Sequence, residues 1–284
     1  MSRLLPFLMV TLFLASSTFA TIPIFSPTTE WNPITYPGVT SDYPSDTQAS
    51  SLDLDLVGDV THAAFYTRFD ATPSPQAPEG EVGYRLRMAG NQSPATFAGQ
   101  AWIGADVNSD GALDLFVGAN NNTVSINFAG ADSNTSPNTT SIDSTPFWSA
   151  SVSATNFSWT ENNSSLDPDG TNFDIDNGGE TDYFLTFIVP FDQLAAAVNS
   201  LSLGFTFDNT SPLAYIAATA TQGQTLNADL NGVNGTAGTL SWTELDAISP
   251  EVGIDGEPAV PEPGLTALIV ALAGGFFLFV QKRR

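Results

Sequence analysis

Val82-Gly83-Tyr84-Arg85-Leu86-Arg87-Met88 places apolar side chains at every second position, with Arg85 and Arg87 between them. Successive side chains of a strand point to opposite faces, so this period of two predicts a β-strand with one face on a core. The same pattern extends in both directions. Upstream, Phe65, Thr67 and Phe69 alternate with Tyr66 and Arg68, and Leu52, Leu54 and Leu56 alternate with Asp53 and Asp55. Downstream, Val124, Ile126 and Phe128 mark another face, as do Trp148, Ala150, Val152 and Ala154, and then Leu201, Leu203, Phe205 and Phe207. Residues 183–189 are apolar on both faces, which predicts a central strand. One short helix is expected over 192–199, with Asp192 as N-cap just after Pro190. Many short strands, polar turns, one helix and no internal repeat predict an all-β fold, an antiparallel β-sandwich of jelly-roll-like type.

Composition narrows the function. The 284 residues carry 7 Lys and Arg against 30 Asp and Glu, a formal net charge of −23. Such a chain has no basic surface to displace counterions from phosphates, which excludes nucleic acid as a partner. With no cysteine and one histidine, His62, thiolate zinc sites, iron–sulfur clusters and thiol catalysis are excluded as well. His62 reads as a structural or surface residue at the start of a strand. Arg68, Arg85 and Arg87 are the only cationic residues between the two ends, where all the acids except Glu262 also lie.

The ends give an address. Residues 1–20 hold Arg3, an apolar run from Leu4 to Leu14 and small residues ending at Ala20, the pattern of a secretory signal cleaved after Ala20. At the other end, Pro261-Glu262-Pro263 precedes an apolar stretch over 264–280 and a basic stub over 281–284. About 16 residues at 1.5 Å each make ~25 Å of helix, enough to cross a bilayer when terminal cations snorkel outward. The basic stub places the acidic domain outside the membrane. Pro-Glu-Pro, a short hydrophobic helix and an arginine-rich stop, in that order over residues 261–284, resemble the PEP-CTERM sorting signal of exported bacterial proteins. That resemblance implies exosortase as processing partner, cleavage near the motif, and a setting of exopolysaccharide and biofilm. Between the ends, residues 21–50 are punctuated by prolines and predict an extended arm pinned on the domain. Residues 51–245 form the sandwich, and 246–260 read as an acidic linker rich in Pro and Gly.

Two loops carry site chemistry. In Asp106-Val107-Asn108-Ser109-Asp110-Gly111-Ala112-Leu113-Asp114, oxygen-bearing groups recur at alternate positions around a glycine turn. Calcium takes six to eight hard oxygens, so Asp106, Asn108, Asp110, the Ala112 carbonyl and Asp114 are candidate ligands. The run resembles the short calcium loops of FG-GAP and VCBS repeats, here in one copy. Position twelve is Val117, not the glutamate of an EF-hand. The second loop offers Asp167, Asp169, Asn172, Asp174, Asp176 and Glu180 as a further metal cluster. If residues 63–70 and 82–89 pair, Tyr66, Arg68, Arg85 and Arg87 share an outward face able to grip an acidic polysaccharide. The same arginines could instead neutralise acids such as Asp53 or Asp55. Trp102, Trp148, Trp159 and Trp242 are candidates for stacking on sugar rings.

The sandwich region resembles uncharacterised domains of secreted bacterial proteins. Together these features predict an exported, calcium-stabilised structural or adhesive protein associated with exopolysaccharide, with no catalytic residues. The alternative is a secreted glycoside hydrolase or lyase using Asp and Glu carboxylates, although no pair of them stands out.

Overall fold

A computed structural model of the chain describes residues 22–36, 42–93, 95–235 and 240–259. The export signal and the sorting tail lie outside the described residues. Within them, no helix is long and apolar enough to cross a membrane.

The strands are β1 (Asn32–Pro33), β2 (Phe65–Asp70), β3 (Glu81–Met88), β4 (Gln100–Asp106), β5 (Leu115–Ala119), β6 (Thr123–Phe128), β7 (Trp148–Ser151), β8 (Phe157–Glu161), β9 (Tyr183–Pro190), β10 (Ala214–Ala220) and β11 (Asp229–Leu230), with helix α1 (Phe191–Ser200) after β9. They form two antiparallel sheets, ordered β1-β2-β3-β9-β8 and β11-β10-β4-β5-β6-β7. Tyr84 faces Phe187 and Leu86 faces Leu185 in the β3–β9 register. These side chains meet Ile103, Val117, Ile126 and Tyr215 of the other sheet in one core. Phe65 and Tyr84 each cross the interface to Tyr215, at 5.8 and 5.9 Å between ring centres. The molecule is thus mostly β, two antiparallel sheets packed as in a β-sandwich. Helix α1 adds Phe191, Leu194 and Val198 to the same core, a helical spacing that keeps them on one face.

Each sheet is also covered on its outer face by chain that is not in that sheet's central strands. Ile22, Ile24 and Trp31 of the arm pack with Tyr66, Phe184 and Ile188 outside the five-stranded sheet. Trp242, Ala247 and Ile248 pack with Trp102, Phe116 and Ile216 outside the six-stranded one. The linker expected at 246–260 is therefore replaced by a covering segment: Val252 bridges both Leu213 and Pro258, and Ile254 is buried.

Three local expectations change, two of them where side chains take over backbone partners. Residues 52–54 form a 3-10 turn rather than a strand, and only Leu56 bridges Met88. There Asp53 accepts the Ser51 hydroxyl, and Asp55 accepts the amides of Ser45 and Thr47. Residues 201–207 are irregular, because the Asn199 amide hydrogen-bonds both the N–H and the carbonyl of Phe207 as a strand neighbour would. Helix α1 begins one residue before Asp192, with Pro190 at the N-cap position and Asp192 inside the first turn.

Gly118 on β5 shows how closely the second sheet is packed. A β-carbon there would stand 2.1 Å from the Trp102 ring. Gly118→Ala is expected to cost about 1–3 kcal/mol by overpacking, read as a lower urea midpoint at unchanged slope.

Candidate metal centres

The first loop joins β4 to β5 and is organised around Asp106. Its carboxylate accepts the N–H groups of Asn108 at 3.3 Å, Ser109 at 2.7 Å and Gly111 at 2.9 Å. Asn108 Oδ1 accepts the Asp110 amide and Asp110 Oδ1 the Ala112 amide, so each polar side chain turns the chain for the next. Ser109 and Gly111 sit at φ +60° and +83°, the left-handed turns that alternate-ligand loops require. Asp114 accepts the Val107 amide at 2.9 Å and closes the loop. Burial pushes its carboxyl up to about 6, with Asp106 and Asp110 adding repulsion. Glu251, from the covering segment, reaches the loop through the Ser109 hydroxyl, a sixth residue that a local motif cannot reveal.

The second loop divides. Asp167 is drawn away into a buried ion pair with Arg87 and accepts the Thr28 hydroxyl. Asp169, Asn172 and Glu180 are exposed. Asp174, Asp176 and Asp182 instead converge, with one carboxylate oxygen from each within 4.8 Å of the others. Gly178 and Gly179 donate their amides to Asp174, both at 2.9 Å. Asp176 Oδ2 and Asp182 Oδ1 are shielded from solvent and have no hydrogen-bond partner. Burial lifts Asp182 to about 7 even though Arg87 opposes it, and Asp176 adds to the rise.

A third group comes from residues that the sequence pattern did not mark. Asp42, Asp46 and Asp229 also gather within 4.8 Å, although more than 180 positions separate the arm from β11. Gly232 donates to Asp42 and Gly235 to Asp46, each at 2.7 Å, and Leu56 donates to Asp229 at 2.6 Å. Asp55 lies between this group and the second loop. Burial raises it to about 6, and both Asp46 and Asp176 push in the same direction.

The expected cationic patch is closed. Arg85 and Arg87 alternate outward from the core as the sequence implied, but the arm covers Arg85, the second loop covers Arg87, and both are fully buried. Arg85 donates to the carbonyls of Ser26 at 2.7 Å and Ile24 at 3.0 Å, to Thr186 Oγ1 at 3.0 Å, and stacks on Trp31 with 4.3 Å to the ring centre. Arg87 joins Asp167 and Asp182, not Asp53 or Asp55. Tyr66 is buried, and Arg68 pairs with Glu30 at 2.6 Å. These four side chains offer no open grip for a polysaccharide.

Of the four tryptophans expected to be able to stack on sugars, Trp102 and Trp242 are core residues, and Trp159 stacks on Tyr183 at 4.8 Å. Trp148, on the edge strand β7, lines a groove of about 420 Å³ together with Gln76, Glu81, Asn156 and Gln193. Comparison with protein families, with curated proteins and with solved structures finds no match to this chain.

Proposed function

We propose that this chain is an exported protein, sorted by exosortase through its C-terminal tail, that serves as a calcium-stabilised structural or adhesive module of the extracellular matrix. In this reading it passes through the inner membrane as a single-span intermediate with its domain outside, then reaches the cell surface or matrix. Its sandwich is jelly-roll-like, and its partner is exopolysaccharide. One observation carries the calcium reading. Arg68, Arg85 and Arg87 are all engaged internally, yet among the described residues Asp42, Asp46 and Asp229 gather with no cation paired to them, and Asp174 and Asp176 converge on Asp182, whose one cation is Arg87. Carboxylates so placed repel one another, and a divalent ion from the medium relieves that repulsion.

The Trp148 groove supports the adhesive half of the proposal. An indole face with amide side chains beside it suits a sugar ring, which stacks and accepts or donates hydrogen bonds. Among the described residues Glu81 is the one carboxylate lining the groove, whereas glycoside hydrolysis takes two, so holding is favoured over cutting. The test is cosedimentation of the purified protein with insoluble exopolysaccharide, in calcium and in EDTA. Pelleting is expected in calcium, with Trp148→Ala binding about 3–10-fold more weakly at a temperature where the variant is still folded, since Trp148 also packs against the core. No pelleting in either buffer sinks the adhesive reading for that polymer.

A further inference from the structure

We infer that Asp42, Asp46 and Asp229 form a calcium site that ties the N-terminal arm to the edge of the six-stranded sheet. The site lies outside both acidic loops and does not depend on sorting or matrix binding.

Its geometry suits the ion. Two ligands on opposite sides of a calcium lie about 4.6–5.2 Å apart, and one oxygen from each of these acids falls within 4.8 Å of the others. Each carboxylate is held by backbone N–H groups: Asp42 by Gly232, Asp46 by Gly235, and Asp229 by Leu56 and Leu230. Ligands fixed this way are oriented before an ion arrives. The donors are all hard oxygens, the chemistry that selects calcium over zinc or copper.

Orphaned polar atoms supply the second, independent pointer. Asp42 is 3 % exposed, and its Oδ2 has no hydrogen-bond partner. Asp46 Oδ1 is equally shielded and unpartnered. Asn231, also 3 % exposed, has the hydroxyl of buried Tyr36 beside it as the group able to reach its side chain. The charge of Asp42 is felt at that hydroxyl, which puts Tyr36 near enough to report on the site. An unmade hydrogen bond on a buried acceptor is costly, and native interiors rarely tolerate several in one place. A proton shared between Asp46 and Asp229 would quiet that pair alone. It would leave Asp42 Oδ2 as it is. One cation between the three acids resolves the orphaned oxygens of Asp42 and Asp46 together.

The placement says what the ion does. Residues 32–33 extend the five-stranded sheet as β1, and residues 47–48 bond to the Ala228 carbonyl next to β11 at the border of the other sheet. The arm thus runs from one sheet's edge to the other's, and the ion fastens its far end.

The test uses the full chain stripped of metal, with terbium as a calcium mimic excited through tyrosine and calcium binding followed by calorimetry. Terbium emission sensitised by Tyr36 and displaced by calcium is expected. Asp42→Asn and Asp229→Asn, which remove charge without removing bulk, should each weaken this binding at least ~10-fold. Tyr36→Phe should abolish the emission while calorimetric calcium binding persists. Asp110→Asn and Asp174→Asn should leave the emission intact. Calcium binding unchanged in both Asp42→Asn and Asp229→Asn overturns the site. If Asp110→Asn or Asp174→Asn removes the calcium instead, the general calcium reading survives while this site falls. If the parent binds no calcium at all, both fall.

Discussion

Chelation should lower the thermal unfolding midpoint by roughly 5–10 °C for each ion removed. An ion present at about 100 times its dissociation constant stabilises the folded state by ~2.7 kcal/mol, and a domain of this size shifts about 2–4 °C per kcal/mol. The response to pH should then separate the two states. Without metal, burial raises Asp229 to about 8, Asp182 to about 7, and Asp55 and Asp114 to about 6, from the ordinary 3.8. A carboxyl whose value is raised by folding is ionised first in the unfolded chain, so stability is full below about pH 4 and drains away as pH climbs through the folded values. Arg87 is the cation facing Asp182, and among the described residues none is recorded against Asp42, Asp46 or Asp229. Metal-free protein should therefore melt higher at pH 5 than at pH 8. In saturating calcium the order should reverse, because protons compete with the ion for the same oxygens. Calorimetric scans at both pH values, with calcium and with EDTA, decide it. Equal midpoints across all four conditions would remove calcium from the account of this fold.

How much of this was legible beforehand depends on what a local pattern can carry. Alternation at Phe65–Phe69, Val82–Met88 and Val124–Phe128 found β2, β3 and β6, because period two is a property of the strand itself. The continuous apolar run at 183–189 found the central strand β9. Alternation assigns residues to a face, but it does not say what lies over that face. Arg85 and Arg87 read as solvent-facing, and only distant chain made them interior: Ile24 and Trp31 of the arm at Arg85, and Asp167 and Asp182 of the second loop at Arg87. The first loop was legible as a turn sequence because its Asx turns are local. Asp42, Asp46 and Asp229 were not, since they meet only after the arm and β11 are in place. The prolines around Asp42 and Asp46 marked an extended arm but gave no hint that its acids would be buried. At 201–207 the pattern misled, because alternation without a pairing partner is not a strand, and Asn199 had already taken the backbone of Phe207.

Arg87 should be the least replaceable side chain in the domain. It is fully buried, contacts Asp167 and Asp182, and lies over Phe184 with 4.8 Å to the ring centre. Both of its acid partners are themselves buried, so the three groups were desolvated together during folding. Arg87→Met keeps the apolar stem but leaves two carboxylates facing each other in a medium that cannot solvate them. Removing one member of such a group typically costs about 3–5 kcal/mol, because the penalty of the remaining charges is no longer offset. The midpoint should fall by roughly 6–20 °C. Arg68→Met is the matched control. Its partner Glu30 is 47 % exposed, water can replace the pair, and the loss should stay within about 1 kcal/mol. The cause can be isolated by adding Asp167→Asn and Asp182→Asn to Arg87→Met. If uncompensated charge is what destabilises the single variant, the triple variant should be more stable than it, despite carrying three changes in one site. If lost packing against Phe184 is the cause, the triple variant should be no better. Urea unfolding of the parent and these variants resolves the two, and a single-variant cost below about 1 kcal/mol would mean that water already reaches the pair.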